Sequence, residues 1–317
     1  MNQNHFFITG AMGCIGAWVV KNLVEKELAV TVFDISPNRS RLELIMDESQ
    51  LQQVAFVRGD LTDTDHVKRS IVESAATHII HLGALQVPFC KDNPPKGAAV
   101  NVVGTTNIFE GAREAGVEQV VFASSVAVYG ESSLYSTELL QHDSELRPAT
   151  LYGVFKQANE GTAAVYWQDH RIASIGLRPY TVYGPGRDQG LTSTPTMAML
   201  AAAKGENYHI SFGGYNGFQF VDDIAKIFIQ AASIKKEGAD VYNIRGAVVH
   251  VDDIVRAINA VEPSVTITSE DTSLPFPKGQ TDAELRNLLG NIPDTSLDHG
   301  VAQTIDHFRN AIALGQI

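Results

Sequence analysis

Tyr152 and Lys156 stand four residues apart, a spacing that sets a phenol and an ammonium on one face of a helix. A tyrosine titrates at about 10 and is a poor base at neutral pH, but a neighbouring ammonium favours the phenolate and lowers that value. The pair could then take a proton from a substrate hydroxyl. Ser124 and Ser125 end an apolar run upstream, where a hydroxyl could hold the same oxygen. Tyr-x-x-x-Lys alone also fits an ordinary surface helix, so its meaning depends on its surroundings. Near the N-terminus the chain reads Thr9-Gly10-Ala11-Met12-Gly13-Cys14-Ile15-Gly16, with glycines spaced G-x-x-G-x-x-G between an apolar run and a helical pattern. Gly10 suits a tight turn, Gly13 a close approach of a diphosphate to the backbone, and Gly16 close packing of helix on strand. The loop residues Met12, Gly13, Cys14 and Ile15, with the helix dipole, would face the phosphates. Asp34 ends the next apolar run, 18 residues beyond Gly16. A carboxylate there accepts both ribose hydroxyls of a dinucleotide and repels a 2′-phosphate, which favours NAD over NADP. Arg39 and Arg41 follow closely and keep NADP as the alternative, since either could pair with that phosphate.

These groups meet only if regular elements bring them to one edge. Residues 6–9, 30–34, 55–58, 78–82, 120–124 and 174–178 read as strands, and 15–26, 64–75, 104–115 and 152–166 as helices between them. Such alternation predicts an α/β fold, a doubly wound parallel sheet of the Rossmann kind with helices on both faces. The strands are continuously apolar, as strands covered on both sides are. After Arg178 the residues Pro179, Gly184, Pro185, Gly186 and Gly190 loosen the rhythm, with helices expected at 196–203, 222–232 and 251–260. The reading gives a dinucleotide-binding domain over 1–180, to which part of the later chain returns, and a smaller irregular substrate-binding region mainly over 181–317. Asp222 and Asp223 are read as caps of the helix they open rather than as catalytic acids.

Composition narrows the partners. The 317 residues are 44% apolar and 19% charged, proportions of a globular chain. A net charge of −12 repels phosphate backbones and anionic lipid, so the expected partner is a small molecule, with neither nucleic acid nor membrane. No apolar run approaches the roughly 18 residues of a membrane helix, and the first residues show no export signal, so a cytoplasmic location is expected. Cys14 and Cys90 are too few for a disulfide framework or a zinc site. They read as reduced structural thiols, and no metal is expected.

The chain resembles the extended short-chain dehydrogenase/reductases, the NAD-dependent epimerase/dehydratase group, from about His5 to Phe308. The resemblance rests on the glycine loop, Gly59-Asp60-Leu61, His81-Leu82-Gly83-Ala84, Asn101 ahead of Gly104-Thr105-Thr106-Asn107, Ala123-Ser124-Ser125-Val126-Ala127-Val128-Tyr129-Gly130 and Tyr152-Gly153-Val154-Phe155-Lys156. Arg178-Pro179-Tyr180-Thr181-Val182-Tyr183-Gly184-Pro185-Gly186, Val221-Asp222-Asp223-Ile224-Ala225 and Ser296-Leu297-Asp298-His299-Gly300 complete it. It implies bound NAD, with Asp60 and Leu61 at the adenine, Leu82, Gly83 and Ala84 at the nicotinamide-side ribose, and Asn101 also on the cofactor. It further implies Ser125, Tyr152 and Lys156 as the catalytic set, Lys156 also binding ribose hydroxyls, and a homodimer formed by the helices that include 104–115 and 152–166.

Departures from the family pattern bear on the reaction. Where dehydratases and decarboxylases of this family usually carry acidic residues, the chain has Val126 and Ala127, which transfer no proton. Epimerisation and simple dehydrogenation remain. Enzymes of the family acting on nucleotide-linked sugars usually carry Asn where Thr181 stands and Arg near Asn216. Losing a charge-assisted phosphate contact costs about 1.5–3 kcal/mol; Arg187 in the following loop could supply that cation instead, but the reading favours a smaller sugar, polyol or sugar acid without a nucleotide. Gln86, Ser125, Arg187, Thr192 and Ser193 are the candidates to touch it. A protein that binds NAD without catalysis is the reading from another class, and its mark would be a broken Tyr/Lys pair.

Overall fold

The computed structural model describes residues 4–317. Seven parallel strands form the central sheet: β1 (His5–Thr9), β2 (Ala29–Asp34), β3 (Val54–Arg58), β4 (His78–His81), β5 (Gln119–Ala123), β6 (Ala173–Arg178) and a seventh from the later chain, Ala239–Asn243. The order is β3-β2-β1-β4-β5-β6 followed by the seventh strand. The chain therefore reverses direction across the sheet between β1 and β4, and a crevice opens beyond their carboxyl ends. The inner strands are apolar on both faces because both faces are covered, whereas the two edge strands are only partly buried. Phe6 and Ile8 of β1 join one core and Phe7 between them joins the other, as the two-residue period of a strand requires. Val121 and Phe122 of β5 divide in the same way. A fully buried side chain of this size stabilises the fold by about 1.5–3 kcal/mol.

Helix α1 (Cys14–Val24) covers the first face, and α2 (Thr64–Glu73), α3 (Gly104–Ala115) and α4 (Leu151–His170) cover the second. Asp63 accepts from the His66 amide at the start of α2, and Thr150 accepts from the Gly153 amide at the start of α4. Ahead of α3 the chain forms a π-helix over Ala99–Val103, carrying Asn101 inward. Of the later helices α5 (Thr194–Ala203), α6 (Val221–Ser233), α7 (Val251–Val261) and α8 (Leu297–Ala313), all but α6 build the second lobe. It also holds a small sheet in which Tyr215–Phe220 lies between Thr181–Tyr183 and Ala247–His250. Met199, Phe212, Phe218, Ile254, Val301, Ile305 and Phe308 fill its core.

The later chain contributes to the first lobe: Ile224, Ile227 and Phe228 of α6 pack with Ala17, Val20 and Leu23 of α1, and Ala239–Asn243 pairs with β6. Asp222 and Asp223 do not cap α6. Asp222 accepts from the Asn22 side chain and Lys226, and Asp223 holds the Thr295 amide and hydroxyl, so both tie α6 to other elements. Among the described residues no helix is long and apolar enough to cross a membrane, and no group of His, Cys, Asp or Glu is arranged to hold a metal ion.

Candidate active site

The crevice at the end of β1 holds the glycine loop. Gly10 takes φ +70°, and a Cβ there would lie 2.5 Å from the Gly83 amide nitrogen, so only glycine lets the ends of β1 and β4 meet. Gly13 precedes α1 with no side-chain cap and no acid in the first turn, which leaves the helix N-terminus open to an anion. The Asp34 carboxylate is fixed beside it by the amides of Met12 (3.0 Å) and Ser36 (2.9 Å). Asp60 is held by Thr62, and with Ile15, Leu61, Leu82, Gly83 and Ala84 it lines the same cavity, of about 620 Å³. The residues fit a dinucleotide: a glycine cradle, an open helix end and, at the end of the neighbouring strand, a carboxylate lining the same cavity. Cys14 is buried with its thiol pushed up to about 12, which makes it an inert wall of the cradle.

The two arginines behind Asp34 are engaged elsewhere. Arg39 stacks on Phe56 at 3.7 Å from the ring centroid. Arg41 donates to the Met12 carbonyl (2.7 Å) and pairs with Asp188 (2.6 Å), joining the glycine loop to the loop that follows Gly184.

At the other end of the cavity, α4 packs its first turn on the 126–128 segment, where a Cβ on Gly153 would collide with the Ala127 carbonyl. That contact brings Tyr152 beside Ser125. Lys156 is 2% exposed, donates to the Ala123 carbonyl (2.6 Å) and lies 5.6 Å from the Tyr152 ring centroid. Burial lowers its pKa to about 8. Burial raises the Tyr152 pKa, and the Ser125 hydroxyl and the Arg187 charge only partly offset this.

Behind this corner lies a wall of satisfied polar groups. His81 is buried between Thr9 (2.6 Å) and Thr105 (3.0 Å), and burial, helped by the charge on Lys156, lowers its pKa to about 3 and keeps the ring neutral. Asn101 does not line the cavity: its amide accepts from the Leu85 N–H and donates to the Leu85 carbonyl, fixing the loop that carries Gln86. Ser124 donates to Glu160, whose carboxylate takes a bidentate pair from Arg178 at 2.8 and 2.7 Å. With Ser124 so bound, Ser125, whose Oγ accepts from the Ala127 amide (3.1 Å), is the hydroxyl of the two that faces Tyr152. Glu160 was not singled out from sequence, although it continues the Tyr152, Lys156 row by one more step of four.

Tyr180, Phe276, Val126, Ala127 and Leu191 form an apolar floor beside Tyr152. Over it stand Gln86, Arg187 and Thr192, and Arg187 Nη2 donates to Thr192 Oγ1 at 3.0 Å. Ser193 turns back onto the Gly190 carbonyl. Thr181 and Asn216 are buried, 3.4 Å apart, outside the cavity lining.

A doubly wound sheet with a phosphate cradle at its switch point, sharing one cavity with a Ser/Tyr/Lys corner, defines a dinucleotide-dependent oxidoreductase of the short-chain type. The chain belongs to the NAD-dependent epimerase/dehydratase family, whose model matches residues 6–244, and it is an NAD-dependent enzyme. A UDP-glucose 4-epimerase of Mycolicibacterium smegmatis is 30% identical over 96% of this chain and 98% of its own length. The structure of Thermus thermophilus UDP-glucose 4-epimerase with NAD superposes with a TM-score of 0.84 at 26% identity, covering 97% of this chain and 99% of that one. MoeE5 in complex with UDP-glucuronic acid and NAD gives 0.81 at 26% identity, covering 97% and 100%.

Proposed function

We propose that the enzyme oxidises a carbinol carbon of a sugar or sugar-like polyol and then reduces it from the opposite face, an NAD-dependent epimerisation. The observation that carries this reading is the presence of Ser125, Tyr152 and Lys156 in one cavity with the glycine cradle and Asp34. Bound NAD would supply the hydride acceptor and give the hydride back. Gly10, Met12, Gly13, Cys14 and Ile15 would hold its diphosphate, Asp34 its adenine-side ribose, Asp60 and Leu61 its adenine, and Leu82, Gly83 and Ala84 the nicotinamide-side ribose. Asn101 would act one layer behind, by fixing Leu85. Tyr152, as phenolate, takes the proton of the substrate hydroxyl while Ser125 holds that oxygen, and Lys156 orients ribose hydroxyls from beneath. Val126 and Ala127 offer no further acid or base, which argues against dehydration or decarboxylation.

Epimerisation requires that cofactor and keto intermediate stay bound between the two transfers. The Arg41–Asp188 pair joins the two loops on either side of the cavity and favours retention. A dehydrogenase releasing NADH is the second reading. A catalytically silent NAD-binding protein is disfavoured because the Tyr/Lys pair is complete. The relatives named above act on or bind UDP-sugars, but Thr181 and Asn216 supply no cation for a diphosphate, which favours a substrate without a nucleotide. We further infer a cytoplasmic location and a homodimer, the homodimer supported by an exposed apolar row on α4, Leu151, Val154 and Val165. The test is the nicotinamide released on denaturing freshly purified protein: near-stoichiometric NAD supports the epimerase, an empty site supports the dehydrogenase, and stoichiometric NADP overturns the role given to Asp34.

A further inference from the structure

A guanidinium has five N–H donors and stays charged, so a buried one without acceptors marks a place made for a ligand. Arg187 gives one hydrogen bond, to Thr192, while its Nε is buried with no partner among the described residues. The neighbouring acid, Asp188, is taken by Arg41. Facing the same loop, Gln86 Oε1 is also buried without a partner among the described residues, and a Cβ on Gly190 would press against both Gln86 Oε1 and the Arg187 guanidinium. Gly190 has φ +98°, so a bare backbone there leaves room beside these two groups, in the cavity that Tyr180 and Phe276 also line. An unfilled donor on a cation next to an unfilled acceptor fits a ligand that presents an anionic oxygen and a hydroxyl on adjoining carbons. A single cation suits one negative charge, and Arg187 and Tyr152 line the same cavity, which sets the anion near the reacting carbinol.

We infer that the substrate carries a carboxylate, a hydroxy acid of the sugar series, bound through Arg187 with its neighbouring hydroxyl donated to Gln86 Oε1. The inference rests on the proposed hydride chemistry but concerns recognition alone. The same oxyanion chemistry has two other sources, a nucleotide-linked uronate and the cofactor's own diphosphate, and the experiment separates them.

The protein loaded with NADH is titrated, following the cofactor's fluorescence, with pairs of probes: gluconate and glucitol, glucuronate and glucose, threonate and threitol, UDP-glucuronate and UDP-glucose. The acid of at least one pair binds at least about tenfold tighter than its neutral partner. Arg187→Met abolishes that preference and leaves NADH affinity within about twofold, and Arg187→Lys, which keeps a charge but not the Nε donor, retains part of it. A preference confined to the UDP pair supports the Arg187–carboxylate contact but overturns the hydroxyl donated to Gln86, because the carbon beside a pyranuronate carboxylate bears the ring oxygen. The inference is overturned if no acid is preferred, or if Arg187→Met instead weakens NADH about tenfold, which would give the arginine to the cofactor. Tyr152→Phe keeps the acid preference whether or not it turns over, so recognition and hydride chemistry fail separately.

Discussion

At the scale of single residues, the site's cost is concentrated in Lys156, an ammonium in a place that is 2% exposed, with its pKa lowered from 10.5 to about 8. Between those values the unfolded chain binds the proton and the folded chain does not, so Lys156 adds stability as pH rises from 8 to 10.5. The whole span is worth about 3 kcal/mol. The stability difference between Lys156→Met and the native chain, measured by urea denaturation, therefore moves toward the native chain over that range. The two adjacent serines separate by a different pair of readouts. Ser125→Ala lowers kcat about 10²-fold, as loss of a donor at the reacting oxygen does. Ser124→Ala, which loses a bond to the Glu160 carboxylate, instead lowers unfolding stability by about 1.5–3 kcal/mol with kcat nearly kept.

Among the elements, what was legible in the sequence is what a local pattern can state. The inner strands β1, β2, β4, β5 and β6 were readable because burial on both faces makes them largely apolar runs, the edge strand β3 because its residues Val54–Val57 are apolar although only partly buried, and Tyr152 and Lys156 because a helix fixes residues four apart on one face. Ala239–Asn243 was not readable: it carries Asp240 and Asn243, and only its pairing with β6 makes it a strand. Asp222 and Asp223 misled because an acid at a helix start fits a cap equally well, and their partners, Asn22 and Thr295, are remote in sequence. Tyr180 and Phe276 take their place in the floor from contacts across the fold, and Glu160, although in step with Tyr152 and Lys156, shows its part only through Ser124 and Arg178. The Arg41–Asp188 link is of the same kind, and its role is testable: Arg41→Ala accelerates NAD dissociation about tenfold in a stopped-flow displacement while leaving the Tyr152 chemistry in place. An unchanged dissociation rate would remove the structural support for cofactor retention.

At the scale of the molecule, two lobes close over one cavity, with the cofactor cradle in the first and the apolar floor and Arg187 loop partly in the second. The net charge of −12 disfavours approach of an anion, so an acidic substrate must be drawn in by the local field of Arg187 rather than by the surface. The exposed row Leu151, Val154, Ala158, Gly161 and Val165 follows one face of α4, and Val103 stands exposed just ahead of α3. If these helices form the dimer, Val154→Glu gives a monomer by sedimentation velocity with the far-ultraviolet spectrum of the native chain.

The central claim is that Tyr152 moves the proton while a hydride leaves the same carbinol. The most direct measurement is single-turnover absorbance at 340 nm after mixing the NAD-loaded protein with the acid or sugar that binds it best. The native chain should show a transient or lasting NADH band, and Tyr152→Phe, with its NAD content intact, should form it about 10²–10⁴-fold more slowly. A Tyr152→Phe variant that forms the band at the native rate would contradict the account.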